Sequence, residues 1–247
     1  MRFFIAGCLA IVFFGSCQFT ETLILEEDGS GQIEILMNMD ELMAFSTGMD
    51  KDTTEIKMDT VYTIRTMLAS KKDSIAKLPK AEQDRLKQLS NYSIRAKMNS
   101  NEGLMRVSVF TDFKRIGEAN DLLEGFTQAG DVLNVLEKGE KKDNKVENTS
   151  SNTIGVKYNY AKNVFSRDAY IKDPKAHKKE TDSLKETESF LKGMKYTLRY
   201  TFPRKIKTTS NPDATFLQDG KTLLLTVPML EYFKNPDVLD LEVVLEN

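Results

Sequence analysis

The chain has 247 residues, of which 40% are hydrophobic and 29% are charged. This composition is typical of a globular protein and excludes the disordered and fibrous classes. The formal net charge is only -2, so the chain lacks the basic excess of a nucleic-acid-binding protein. We therefore expect a folded protein with no nucleic-acid partner.

The N-terminal residues 1–17 differ in composition from the rest of the sequence. A short positive start and an apolar run over residues 3–14 precede Gly15, Ser16 and Cys17. This order of charge, apolar run and small residues is typical of a signal peptide. As a helix, the apolar run would be about 18 Å long, well short of the roughly 30 Å hydrocarbon core of a bilayer. We therefore expect the leader to be removed rather than to span a membrane.

The four residues Phe14-Gly15-Ser16-Cys17 resemble the lipobox of bacterial lipoprotein precursors. The resemblance implies that residues 1–16 are a lipoprotein signal peptide cleaved before Cys17, whose sulfur then carries a diacylglycerol, with palmitate as an expected acyl chain. Two or three acyl chains make release from a bilayer negligible, because each buried CH₂ contributes about 0.8 kcal/mol. Cys17 is thus the predicted lipidation site and the predicted link to a membrane.

The cysteine content agrees with lipidation. Cys8 lies within the leader, so the processed chain keeps Cys17 alone and forms no internal disulfide. A single unpaired thiol in an oxidising compartment is prone to unwanted exchange, and acylation removes that hazard. The alternatives are an uncleaved apolar anchor that extends to about Thr20 and a leader that is cut at another position. Gln18 differs from the Asp that retains some lipoproteins at the inner membrane. By analogy with lipoprotein sorting, the resemblance therefore implies an outer-membrane location facing the periplasm.

Period-two alternation of polar and apolar residues marks much of the mature chain as β-structure. Asp28-Gly29 supplies turn chemistry between two such runs, which predicts a β-hairpin almost directly after Cys17. Because hairpins join most of the runs, the sheet should be largely antiparallel. A sheet of about eight strands is expected from the nine candidate runs in residues 19–25, 32–37, 92–98, 104–110, 154–160, 196–202, 215–217, 222–227 and 239–245.

Apolar residues at helical spacing lie between the strand patterns. Val61, Ile64 and Met67 predict a helix that runs towards Leu78, and residues 80–89 resume the pattern after Pro79. Further helices are predicted over 116–126 and 174–192. Helices packed on one face of a largely antiparallel sheet define a single α+β domain over residues 17–247. Residues 138–152 carry almost no apolar side chains, which predicts a mobile loop.

The sequence offers few parts for catalysis. His177 is the single histidine and lies among lysines, which predicts a surface residue rather than a ligand or a base. Ser-His-Asp and Cys-His catalysis therefore lack their components, and only carboxylate-based hydrolysis keeps its residue types available. No catalytic residue, cofactor or metal is predicted. Met37, Met39 and Met43 could bind Cu(I) through their thioethers, but we interpret them as adaptable core residues.

The Asp28-Gly29-Ser30-Gly31 hairpin, so close to a lipidated cysteine, also resembles uncharacterised lipoproteins of the LppM type. The favoured hypothesis is a membrane-anchored envelope lipoprotein that acts as a non-enzymatic binding or assembly module, with an envelope protein as its candidate partner. One alternative is a carrier of a lipid or other apolar ligand, with a cavity lined by residues such as Met37, Met67 and Phe126. A second alternative is a carboxylate-only hydrolase.

Overall fold

The computed structural model describes residues 18–41, 43, 55–120, 153–186 and 188–247. The strands in these ranges are β1 Gln18–Leu25, β2 Gly31–Asn38, β3 Lys57–Thr63, β4 Ser93–Asn99, β5 Leu104–Phe113, β6 Ile154–Ala161, β7 Val164–Ile171, β8 Lys195–Thr201, β9 Ile206–Thr209, β10 Thr215–Phe216, β11 Thr222–Pro228 and β12 Leu241–Leu245. The α-helices are α1 Ile64–Ser70, α2 Lys72–Ile75, α3 Lys80–Gln88, α4 Pro174–Ser183, α5 Glu188–Leu191 and α6 Met229–Lys234. Short 3₁₀ helices cover Leu89–Asn91, Ser100–Glu102, Ile116–Ala119, Leu184–Glu186 and Pro236–Leu239.

The strands of the described ranges form two sheets. The larger has the order β10-β11-β8-β1-β2-β5-β4-β3, and the smaller has the order β6-β7-β12-β9. All neighbouring strands are antiparallel except β1 and β8, which run parallel. The predicted α+β class and the largely antiparallel eight-stranded sheet are confirmed. The smaller sheet was not distinguished in the sequence, because its strands show the same period-two alternation.

The predicted hairpin between β1 and β2 is confirmed, and its turn explains two glycines. Gly29 has φ of +82°, which costs glycine little because it has no Cβ. The Asp28 carboxylate accepts a hydrogen bond from the Ser30 backbone N–H at 3.0 Å and so supports the turn. A Cβ at Gly31 would collide with the carbonyl oxygen of Ile24 on the paired strand. Larger residues at these two positions would therefore disturb the turn.

The two sheets pack face to face, and the hydrophobic core lies between them. Phe165 of β7 in the smaller sheet contacts Tyr200 and Phe202 at the end of β8 edge to face, with ring centroids 5.5 Å and 5.3 Å apart. Leu23 of β1 and Leu198 of β8 are fully buried beside them. Full burial of each such side chain stabilises the fold by about 1.5–3 kcal/mol. The covered face of the larger sheet is therefore centred on β1 and β8.

One helix prediction is wrong at its start. Val61 belongs to the edge strand β3 rather than to a helix, and α1 begins at Ile64. Thr63 caps α1, because its hydroxyl oxygen accepts the Thr66 backbone N–H at 3.3 Å. The segment around Val61 and Tyr62 is rich in β-branched and aromatic residues and pairs with β4, so strand pairing overrides the helical spacing.

The other helix predictions have mixed outcomes. The helix over 80–89 is confirmed as α3, in which Leu86 is buried, and the buried Leu89 opens the 3₁₀ helix that follows. The helix over 174–192 is divided into α4, a 3₁₀ turn and α5, and α4 is capped by the Asp173 carboxylate. The helix over 116–126 is seen as a 3₁₀ turn at Ile116–Ala119. Residues 121–126 of that predicted helix and the predicted loop at 138–152 lie outside the described residues.

Candidate functional site

The predicted lipidation site, Cys17, lies outside the described residues, as does the leader of residues 1–16. Gln18 is the first residue of β1, where it pairs with Asn38 of β2 on one side and with Lys195 of β8 on the other. Lipidation and the division into residues 1–16 and 17–247 therefore stay predictions. The covalent neighbour of Cys17 is nevertheless fixed in a central strand of the larger sheet.

A buried ion pair joins the two sheets. Glu21 of β1 and Arg167 of β7 are each 1% exposed, and the Arg167 Nη2 lies 3.3 Å from the Glu21 Oε2. Three tyrosine hydroxyls donate to the same carboxylate, namely those of Tyr158 at 2.6 Å, Tyr196 at 2.7 Å and Tyr200. We call these five residues the Glu21 cluster.

Strand periodicity and register place these side chains together. Glu21 follows the inward alternation of β1, and Tyr196 and Tyr200 follow that of β8. In the smaller sheet, Tyr158 and Arg167 are direct partners in the β6–β7 register. Each sheet contributes part of the Glu21 cluster, so the cluster forms only when the sheets pack against each other.

The Glu21 carboxylate remains ionised although it is buried. Burial alone would raise the pKa of Glu21, but the Arg167 charge and the hydrogen bonds from two tyrosines outweigh it, so this pKa lies below its usual value of 4.5. Burial, followed by the Glu21 charge, raises the pKa of Tyr158, Tyr196 and Tyr200 well above 10.0. The tyrosines therefore stay neutral, and their hydroxyl groups remain hydrogen-bond donors to Glu21.

Arg167 is also held on the side away from Glu21. Its Nη1 donates to the Leu239 carbonyl oxygen at 3.1 Å, and its guanidinium carbon lies 5.9 Å from the centroid of the Tyr232 ring. Burial lowers the pKa of Arg167, but the Glu21 charge more than compensates and raises this pKa well above its ordinary value. The guanidinium therefore stays charged and ties the smaller sheet to the turn before β12.

A further carboxylate, that of Asp240, lies beside this turn. Its Oδ1 accepts the Ala169 backbone N–H at 2.8 Å. Burial raises the pKa of Asp240, the Ala169 hydrogen bond opposes this rise, and the charges of Asp237 and Asp168 add to it. Asp240 thus braces β7 near Arg167.

The Glu21 cluster is suited to holding the sheets together rather than to turnover. Both carboxylate oxygens of Glu21 already accept hydrogen bonds. Neither Glu21 nor Arg167 is more than 1% exposed, so a substrate does not reach them. Removing either partner would leave an uncompensated buried charge, which typically costs about 3–5 kcal/mol.

His177 is buried on α4, so its interpretation as a surface residue is wrong. It is 7% exposed, and its Nδ1 lies 2.9 Å from the Thr153 hydroxyl oxygen, whose proton is donated to Glu180 at 2.7 Å. Because that hydroxyl has only one proton, Nδ1 must carry hydrogen and donate to Thr153. Nε2 has no partner among the described residues. His177 lines a cavity of about 20 Å³ together with Leu184 and Phe233, among other residues, and the cavity has room for about one water.

Methionines line a partly open region of the larger sheet. Met58, Met98 and Met105 are cross-strand partners in one row across β3, β4 and β5. Met37 lies in the next row, opposite Val107. These four methionines, which we call the methionine face, are all partly exposed. They lie on the same face of the larger sheet as Leu23. The smaller sheet covers this face around β1 and β8.

The predicted core position of the N-terminal methionines is confirmed for Met43, which is 7% exposed. Met39 is partly buried and packs against the core, whereas Met37 belongs to the partly exposed methionine face. Among the described residues, no group of three or more His, Cys, Asp or Glu side chains could hold a metal ion. Within the same ranges, no helix has the length and hydropathy needed to cross a membrane.

A polar groove of about 340 Å³ lies near the start of α1. Arg65 is fixed there by a hydrogen bond from its Nη2 to the Asn91 side-chain oxygen at 2.9 Å. Asp112 accepts a hydrogen bond from Gln32 at 2.8 Å. Arg65 and Asp112 are thus engaged in separate contacts. The groove is lined by Thr63, Arg65, Ser90, Asn91, Ser93 and Asp112.

These features define a two-sheet α+β protein whose strongest charged cluster is sealed inside. No family model matches the chain, and no curated protein matches it either. Among solved structures, the chain is similar to the folded domain of LppM from Mycobacterium tuberculosis, determined by NMR, with a TM-score of 0.37 and 9% sequence identity over 96% of this chain and 94% of that chain. This likeness is too distant to assign a family or a function.

Proposed function

We propose that the chain is a lipid-anchored lipoprotein of the bacterial cell envelope whose folded part is a non-enzymatic binding or assembly module. The observation that carries this proposal is the position of Gln18, which follows Cys17 directly and is the first residue of β1. The first described strand thus starts directly after the cleavage site that the lipobox resemblance implies. An acylated Cys17 would hold the protein against a membrane with no linker in between.

The non-enzymatic role rests on the use of the charged side chains. Glu21 and Arg167, the most deeply buried charges described, form an ion pair that joins the two sheets. The exposed surfaces are suited to contacts instead, since edge strands accept further strands and methionine adapts to varied partners. We propose the edge strand β3 and the methionine face as the contact surfaces for an envelope protein, on the periplasmic side of the outer membrane.

The first test replaces Cys17 by serine. In cells that process lipoproteins, Cys17→Ser should lose the acyl mass, escape cleavage between Ser16 and residue 17, and leave the detergent-soluble lipoprotein fraction. Cys8→Ser is the matched control, since it changes a cysteine of the apolar run and keeps the lipobox. Mass spectrometry of the N-terminal peptide is the measurement. Unchanged cleavage and membrane retention of Cys17→Ser would contradict the proposal.

The second test concerns membrane and partner. Fractionation of envelope membranes should place the wild-type protein with the outer membrane, in a form that protease reaches only after the outer membrane is opened. Crosslinking in intact cells should then capture an envelope protein through a probe on the edge strand, such as one at Val61, which is 52% exposed. Enrichment in the inner membrane would contradict the location and leave the lipid anchor standing.

A second candidate function, carriage of an apolar ligand, is favoured by the methionine face. Met37, which the sequence suggested as a cavity residue, lies on this face, and Met67 of α1 is partly buried. Phe126, the third suggested residue, lies outside the described residues. Met98→Glu should weaken binding of a fluorescent fatty acid, whereas Phe216→Glu, at an exposed position elsewhere, should leave it unchanged. Equal binding by both variants and the wild type would exclude the methionine face as the carrier site.

A further inference from the structure

Register fixes which part of the larger sheet lies nearest to Cys17. Gln18 pairs with Lys195 on one side and with Asn38 on the other. The same row continues through Arg106 and Lys97 to Asp59 of β3. The chain positions beyond this row at Cys17, before β1, and at residues 55–57, at the start of β3, form what we call the anchored rim.

The connection between Cys17 and this rim has almost no slack. Consecutive Cα atoms are about 3.8 Å apart, so the Cys17 Cα lies within that distance of Gln18. Gln18 is paired on both sides, so it does not leave the sheet without breaking ladder contacts with β2 and β8. Acyl chains on the Cys17 sulfur would therefore bring the anchored rim, and not another surface, to the bilayer.

The anchored rim carries an exposed apolar side chain that suits a lipid interface. Ile56 is 46% exposed and directly precedes β3. It lies three residues before Asp59, the last member of the row, on the side of Cys17. Its backbone N–H donates to the Ser100 hydroxyl oxygen at 3.0 Å, and its carbonyl oxygen accepts the Ser100 N–H at 2.9 Å. The residue is thus held in place at the rim although its side chain is exposed. Four strand spacings, roughly 19 Å, separate β3 from β1.

We propose that the anchored rim is a membrane-resting surface, with the lipid bilayer as its occupant. This inference rests on the proposed lipid anchor at Cys17. In this arrangement the rim makes two contacts with the bilayer, one at the acylated Cys17 beside Lys195 and the other at Ile56. Two separated contacts restrict tilting of the sheet along the line that joins them, and they leave the opposite ends of the strands facing away from the membrane.

The test uses the full processed lipoprotein reconstituted in phospholipid vesicles. Single cysteines are introduced as Lys195→Cys, Ile56→Cys or Phe216→Cys and labelled with a fluorophore. If Cys17 is acylated, it does not react with the label. Phe216 is the matched control for Ile56, because it is also apolar and is 49% exposed. It belongs to the row of Leu23, five residues along β1 from Gln18.

Quenching by a spin label on the lipid headgroup is the measurement. Phe216 lies roughly 17 Å along the strands from the row of Gln18, so quenching at positions 195 and 56 should exceed that at position 216 by about twofold or more. Quenching at position 56 that equals the quenching at 216, with strong quenching at 195, would overturn the membrane-resting rim and leave the lipid anchor intact. An N-terminal peptide without acyl mass would remove the proposed function itself and the inference with it.

Discussion

The two halves of the larger sheet differ in how the same face is covered. Around β1 and β8 the smaller sheet packs on this face, and fully buried residues such as Leu23 and Leu198 fill the space. Around β3 and β4 the same face carries Met58 and Met98, which are partly exposed. Both halves follow the same period-two pattern, so alternation alone tells which face is apolar but not whether another layer covers it.

The covered half holds the buried charges, and the open half holds charges that water can reach. Glu21 and Arg167 are sealed between the sheets, whereas Asp59 and Arg95 form an ion pair at 2.9 Å with about half of each side chain exposed. Water and ions screen the second pair but not the first. The comparison predicts that similar substitutions should have unequal effects on stability in the two halves.

The largest expected effect is that of Glu21→Gln. It removes the negative charge that compensates Arg167, so the free energy of unfolding should fall by about 3–5 kcal/mol. Asp59→Asn, the matched change in the open half, should have a much smaller effect. Urea unfolding of the chain without its leader and with Cys17→Ser, followed by tyrosine fluorescence, is the measurement. Equal losses in the two variants would mean that burial does not distinguish the two pairs.

A double variant sharpens this prediction. Glu21→Leu with Arg167→Met replaces the whole pair by apolar residues, and such replacements are often neutral or stabilising. The double variant should therefore be more stable than Glu21→Gln, although three tyrosine hydroxyls lose their acceptor. Stability no higher than that of Glu21→Gln would show that the tyrosine hydrogen bonds, and not the unpaired Arg167 charge, dominate the loss.

The pH dependence of stability separates the charge of Glu21 from its packing. The pKa of Glu21 is lowered in the fold, so the native state favours the ionised form. Its contribution is fully present above the unfolded-state pKa, close to 4.5, and is lost as the pH falls through the folded-state value. The difference in unfolding free energy between wild type and Glu21→Gln should thus shrink as the pH falls below about 4.5. A difference that stays constant would assign the effect to packing.

A smaller effect is expected from removing one hydroxyl of the cluster. Tyr200→Phe deletes a hydrogen bond to a charged group, which should lower the free energy of unfolding by about 1.5–3 kcal/mol. Tyr160→Phe, outside the Glu21 cluster and partly exposed, is the control and should change little. Denaturant unfolding measures both variants. If Tyr200→Phe is as stable as the control, the hydroxyl adds nothing beyond the ring.

The sequence was informative where the determinants are local. Asp28-Gly29 predicted the first hairpin because turn chemistry is contained in the turn itself, and Pro79 marked the boundary before α3. By contrast, β1 pairs in parallel with β8, so that Gln18 pairs with Lys195 although most of the sequence lies between them. The spacing of Val61 and Ile64 fits a helix, but Val61 pairs with β4. Pairings of this kind depend on distant segments, which a local pattern does not contain.

The Glu21 cluster could have been found only in part. The inward alternation of β1 places Glu21 in line with Leu23 and Leu25, and an acidic residue at such a position indicates a buried partner. Its partner Arg167 is 146 positions away in the chain, and nothing near Glu21 identifies it. His177 misled the interpretation for a related reason, because its neighbouring lysines face outward while α4 turns the ring inward. Charge in sequence is therefore a poor guide to burial at a single helical position.

The smallest expected effect tests whether the methionine face is open or packed. Met98→Leu conserves volume on a partly exposed surface, so it should change the free energy of unfolding by less than about 1.5 kcal/mol. Leu198→Met makes the reverse exchange in the covered half, where the side chain is fully buried, and it should cost more because its neighbours have no room to adjust. Unfolding curves of the two variants give the comparison. A greater loss in Met98→Leu than in Leu198→Met would mean that the methionine face is as tightly packed as the interior, and the contrast between the two halves of the sheet would then be wrong.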